Sequence, residues 1–70
     1  MTARLESQAD GWRHYRVHSG LYGYTASESL TDRRFLIWSR GDGRRIDPAG
    51  ATGRAVVLAC YEALKAQVAA

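Results

Sequence analysis

His14 and His18 are the first residues in the sequence whose types could do chemistry together, as ligands of one metal ion. Sharing an ion needs both imidazoles on one helical face. On a strand, four residues at roughly 3.3 Å each separate them by about 13 Å, too far for a single ion. Cys60 is the one candidate nucleophile, but it stands beside Ala59 in an apolar stretch of helical pattern, where a cysteine acts as a small hydrophobe. No oxyanion-hole loop or paired carboxylates accompany it, so the expectation is a protein that is not an enzyme, with no cofactor and no metal. Arg40-Gly41-Asp42 reads as a hairpin turn whose glycines supply positive φ. Gly41-x-Gly43 and Gly50-x-x-Gly53 are too short for phosphate loops and lack a following lysine-serine or lysine-threonine pair. What remains is a surface made of Trp12, His14, Arg16, Arg34, Trp38, Arg40, Arg44 and Arg45. Tryptophan and arginine are the side chains enriched at binding hot spots. Arginines 33, 34, 40, 44 and 45 also fall within thirteen residues, diluted only by Asp42. Such clustering makes a local positive field for anionic partners.

Those residues belong to a chain of 70 residues, enough for one small core. Apolar residues make up 46% and charged residues 24%, an ordinary globular balance. No apolar run approaches the roughly 20 residues of a membrane span, and the opening stretch carries no apolar signal core. With a single cysteine there is no internal disulfide, and a reducing, cytoplasmic setting without a membrane partner is the expectation. The net charge of +3 comes from ten basic and seven acidic residues. Nine of the ten are arginine and alanine occurs eleven times, a bias that GC-rich coding alone would produce. Position therefore carries more weight than number.

The elements that must position the surface follow from periodicity. Residues 1–11 are polar, have no clear period and read as a flexible leader, with a single α+β domain over 12–70. Trp12–His18 and Leu21–Ser27 alternate as two strands around a Ser19-Gly20 turn, a register that sets Val17 opposite Tyr22 and Tyr15 opposite Tyr24. A polar connection from Glu28 to Asp32 leads to a second hairpin, Arg33–Arg40 and Arg44–Asp47, turning at Gly41-Asp42-Gly43. With period two, Tyr15, Val17, Tyr22, Tyr24, Phe35, Ile37 and Ile46 share the buried side. Trp12, His14, Arg16, Arg34, Leu36, Trp38 and Arg40 lie on the other. Thr52 caps a C-terminal helix on which Val57, Tyr61, Leu64 and Val68 form an apolar stripe widened by Leu58, with Arg54, Glu62 and Lys65 off it. The expected architecture is an antiparallel β-meander of three to four strands with one helix packed on one face.

An open sheet face holding two tryptophans and a leucine is rarely left without a use. It fits a partner, or closure of a homodimer, or cover by the leader. The order of elements, through "YGYTASESLTDRRFLIW" and then "GRAVVLACYEAL", resembles the arm-site DNA-binding domain of phage tyrosine integrases, and plant AP2-type domains share the outline. The helix "AVVLACYEAL" is similar to the last helix of double-stranded-RNA-binding domains, although only Arg54 stands where those carry a lysine pair. These resemblances imply a duplex nucleic-acid partner. As a free-standing small α+β chain with an aromatic and arginine face, the sequence also resembles the small inhibitors encoded by phages and mobile elements, of the anti-CRISPR type. That resemblance implies occlusion of a nucleic-acid-handling effector. The leading expectation is a monomeric or homodimeric binding protein that docks on a protein or nucleoprotein complex, with direct duplex binding as the alternative.

Overall fold

Asp10 and Gly11 both take left-handed backbone angles, φ 55° and 81°, the geometry of a two-residue turn that folds one strand straight back on another. They join β1 (Thr2–Ala9) to β2 (Trp12–Ser19) in a computed structural model that describes residues 1–69, with side chains described for 1–67. β3 (Tyr22–Ser29), β4 (Phe35–Ser39) and β5 (Arg45–Ile46) complete one antiparallel sheet in the order β1-β2-β3-β4-β5, and α1 (Ala51–Ala69) follows. The protein is an α+β fold with five strands, one more than the sequence-based maximum. The segment expected as a flexible leader is the additional edge strand. Among the described residues, no helix is long and apolar enough to cross a membrane.

Gly20 (φ 59°) opens the β2–β3 turn at Gly20-Leu21, so Tyr15 pairs with Ala26 and Val17 with Tyr24. The expected register was two residues away, a shift that leaves every side chain on its assigned face. The two later hairpins repeat one loop. Ser29 N–H donates to Arg34 O at 2.8 Å and Arg33 N–H to Ser29 O at 2.9 Å. Ser39 N–H donates to Arg44 O at 2.8 Å and Gly43 N–H to Ser39 O at 2.9 Å. In each loop an aspartate, Asp32 or Asp42, accepts from the backbone N–H of Arg34 or Arg44. That bond holds each carboxyl below its ordinary range. The left-handed position is Gly43 (φ 70°) in the second loop and Arg33 (φ 62°) in the first.

The core lies between the sheet and α1, which packs chiefly over β1 and also reaches β2 and β3. Tyr15, Val17, Ala26, Phe35, Ile37, Val56 and Cys60 are buried, with Ala3, Leu5, Tyr24, Ile46, Val57 and Ala59 packed around them. Tyr22, assigned to this core from the sequence, is exposed. The helix is rotated from its expected phase. Gly53, Val56 and Cys60 point inward, while Tyr61 is 42% and Leu58 60% exposed. Val68 lies outside the side chains described. Gly53 lies against the turn that leads into the helix, where a Cβ would sit 2.0 Å from the Asp47 carbonyl oxygen. Gly50, whose carbonyl accepts from Arg54 N–H at 2.9 Å, caps the helix in place of Thr52, which lies inside it.

Glu28, expected in a loop, belongs to β3 and has no exposed surface. Its Oε1 accepts from Arg13 Nη1 at 3.1 Å and from the Tyr15 hydroxyl at 3.3 Å, while Oε2 has no partner. Burial, followed by the charge of Glu28, pushes the Tyr15 hydroxyl from 10.0 up to about 12 and the Cys60 thiol from 9.0 up to about 12. Both groups lose their protons more readily in the unfolded chain. Their contribution to stability is therefore full below about pH 9 and is lost as pH rises towards 12. Urea midpoints measured from about pH 8 to pH 12 should fall across that window, and Cys60→Ala should flatten the slope. A midpoint unchanged up to about pH 11 would contradict the burial of both groups.

Candidate binding face

The side of the sheet away from α1 carries most of the residues singled out from the sequence. Because β-strand side chains alternate, the register places them in cross-strand rows. One row crosses all five strands as Arg4, Arg16, Thr25, Trp38 and Arg45, a span of about 19 Å at the usual strand spacing. Beside it run Ser7, His14, Ser27 and Leu36, and then Ala9, Trp12 and Ser29. His18 pairs with Gly23, and the absent Cβ of Gly23 leaves room for Arg40, whose Cδ would lie 3.3 Å from it.

Trp38 is 36% exposed and flanked by the Arg45 guanidinium, 5.7 Å from the ring centroid. This contact lies over the indole face and presents the charge beside it. Trp12 and Leu36 are half-buried. His14 Nδ1 and Ser27 Oγ are 2.8 Å apart across β2 and β3. Arg4 stands directly opposite Arg16, an arrangement of like charges that costs a sheet stability. A bulge between Leu5 and Ser7 lets Glu6 reach Arg16, with Oε1 3.4 Å from Nε. Both side chains are near 40% exposed, so the pair offsets only part of the repulsion. Glu6 is the sole carboxylate at a strand position on this side among the described residues.

The structure gathers Trp12, His14, Arg16, Trp38, Arg40 and Arg45 on one face. Arg34 stands at its margin, in the loop entering β4, with Nε 3.4 Å from Asp32 Oδ2. Arg44 does not join them. It pairs with Ser39 at the end of the second loop and shares the helix side of the sheet with Tyr24 and Thr52. Alternation from Arg45 requires this placement once Ile46 faces the core. The sequence reading missed Arg4, because it treated Asp10-Gly11 as the end of a leader. Asp-Gly between alternating segments is itself a strong hairpin signal, with Ala3 and Leu5 on one side and Tyr15 and Val17 on the other. Set beside family models, curated proteins and solved structures, the chain matches none of them.

Proposed function

We propose that the protein is a non-enzymatic binding module that docks, through the open sheet face, on an acidic surface of a protein or nucleoprotein complex. In such a complex it would occlude a nucleic-acid-handling effector, as small phage-encoded inhibitors of the anti-CRISPR type do. The observation that supports this reading is the row Arg4, Arg16, Trp38 and Arg45. Its opposed arginines, Arg4 and Arg16, cost the free protein stability and would be relieved by a partner's anions, while Trp38 supplies an apolar anchor farther along the row, beside Arg45. Arginine pairs well with carboxylates through two parallel hydrogen bonds, which suits an acidic protein surface.

The same row favours one second reading, direct binding of duplex nucleic acid, because it tracks cations across the whole sheet. With a net charge of only +3, few phosphates would be neutralised, so purified protein should show little micromolar binding to a generic duplex. A mobility shift whose affinity falls by orders of magnitude with salt would put this reading first.

The test is capture from a host lysate with and without nuclease, run beside thermal melts. Trp38→Ala should leave the fold close to intact and weaken capture by roughly 2–4 kcal/mol, as expected for a central aromatic anchor. Arg4→Glu and Arg40→Glu should weaken the same complex without unfolding the protein. Should Trp38→Ala collapse the melt, the ring would be core and the face would lose its anchor.

A further inference from the structure

At the end of the sheet opposite β1, β5 stops after Ile46 and leaves the first part of β4 without a neighbour. Ser39 N–H donates to Arg44 O, so the backbone groups of Ser39, Ile37 and Phe35 all point to this outer edge by the alternation of an antiparallel ladder. Continuing the pairing of Ile37 with Ile46 would set Pro48 opposite Phe35, and proline has no N–H to offer. Among the described residues no backbone hydrogen bond joins Phe35 to the segment after β5, so its outward N–H and C=O face a shallow, open cleft of about 470 Å³. Phe35, Val57 and Tyr61 form its apolar floor, and Arg33, Arg34 and Arg45 its rim. Tyr61 meets the Phe35 ring edge-on, with centroids 5.7 Å apart.

Arg33 is the unexpected member. It occupies the left-handed position that glycine fills in the matching loop, and no carboxylate lies within ion-pair distance of it among the described residues. A non-glycine residue held at positive φ brings its Cβ close to the backbone and is strained, and strain of this kind collects at functional sites. Three cations around an apolar floor, beside an unpaired strand edge, define complementary chemistry. The occupant needs acidic groups, one apolar side chain and a peptide backbone of its own. A nucleic acid supplies the first but has no backbone N–H and C=O to pair with Phe35.

We propose that this cleft receives a short extended segment of a protein partner, in which one apolar side chain enters the floor and flanking carboxylates meet Arg33, Arg34 and Arg45. The inference deepens the docking function proposed above and rests on that reading for the identity of the partner as a protein. The segment adds a minimal strand to the edge of β4 through Phe35 and seats its central side chain against Tyr61.

The probe is a fluorescein-labelled heptapeptide of glutamates and threonines with one central phenylalanine, titrated by anisotropy against the intact protein. Saturable micromolar binding is expected, with chemical-shift changes at Phe35 and Tyr61. The same peptide with lysine for glutamate should not bind. Arg33→Gly should raise the melting temperature, since glycine suits the backbone there, yet weaken the peptide about tenfold through loss of a charge-assisted contact. Arg4→Glu, at the far edge of the sheet, should weaken capture of the whole partner and leave the peptide's affinity unchanged. No saturable binding, or Arg33→Gly binding as tightly as wild type, would overturn the cleft assignment. Partner capture lost in Arg4→Glu would in that case leave the open-face reading standing. Peptide binding that survives while Arg4→Glu and Trp38→Ala both capture normally would overturn the open-face reading instead.

Discussion

Ile37→Ala should destabilise the fold by about 2–5 kcal/mol, while Tyr61→Ala should cost clearly less. Ile37 has no exposed surface and sits in the sheet between Ala26 and Ile46, beneath the layer that contributes Val56 and Cys60. Truncation there removes buried methyl groups and leaves a cavity in a core only a few residues wide. At about 0.05–0.15 kcal/mol per residue, a chain of this size has roughly 4–10 kcal/mol in all, so one such substitution removes a large share. The melt should drop by about 4–8 °C for each kcal/mol lost. Tyr61, which the apolar stripe in the sequence puts in the same core, is 42% exposed and meets the Phe35 ring in a T-shaped contact. Chemical denaturation of both variants decides the matter. Equal losses would return the helix to the phase that the stripe implies and undo the observed packing.

Arg13→Met should be as damaging, by about 3–5 kcal/mol, because it strands the Glu28 carboxylate without its cation. Glu28 is wholly buried, and its Oε1 depends on Arg13 and on the Tyr15 hydroxyl. Oε2 already lacks a partner, so there is no reserve of hydrogen bonds to take up the charge. The Arg13 side chain is 20% exposed and also donates to Gln8 Oε1 at 3.2 Å, which ties the network to β1. The converse variant is informative. Replacing the ion pair by apolar groups of similar volume is often neutral or stabilising, so Arg13→Met combined with Glu28→Leu should recover most of the loss. A double-mutant cycle by urea titration measures this coupling directly. An Arg13→Met variant within about half a kcal/mol of wild type would mean that the pair contributes nothing to holding β2 against β3.

The faces of β2, β3 and β4 were legible in the sequence, and so was the class of the fold. Alternation along Trp12–Ser19 and Phe35–Ser39 is a property of local backbone geometry, so it assigns Tyr15, Val17, Phe35 and Ile37 to one side without knowledge of any neighbour. The same reasoning placed Trp12, His14, Arg16 and Trp38 together, and a register error of two residues could not disturb it. β1 was only half legible: Asp10-Gly11 signals a hairpin, but the bulge at Glu6 breaks the alternation that would mark the strand before it. The phase of α1 was not legible. Its apolar stripe puts Val57, Tyr61 and Leu64 towards the core, but Val56 and Cys60 take the buried positions, Val57 packs at the core's margin, and Gly53 lies close to Asp47 and Pro48. The burial of Glu28 likewise waits on long-range placement, since Arg13 and Tyr15 must converge on it from another strand. The exclusion of Arg44 from the open face does not: alternation puts it on the side of Ile46. Local periodicity determines which way a side chain points along its own element. What it meets there is decided by the elements that cross it, because burial is a property of the packed layers and not of the chain.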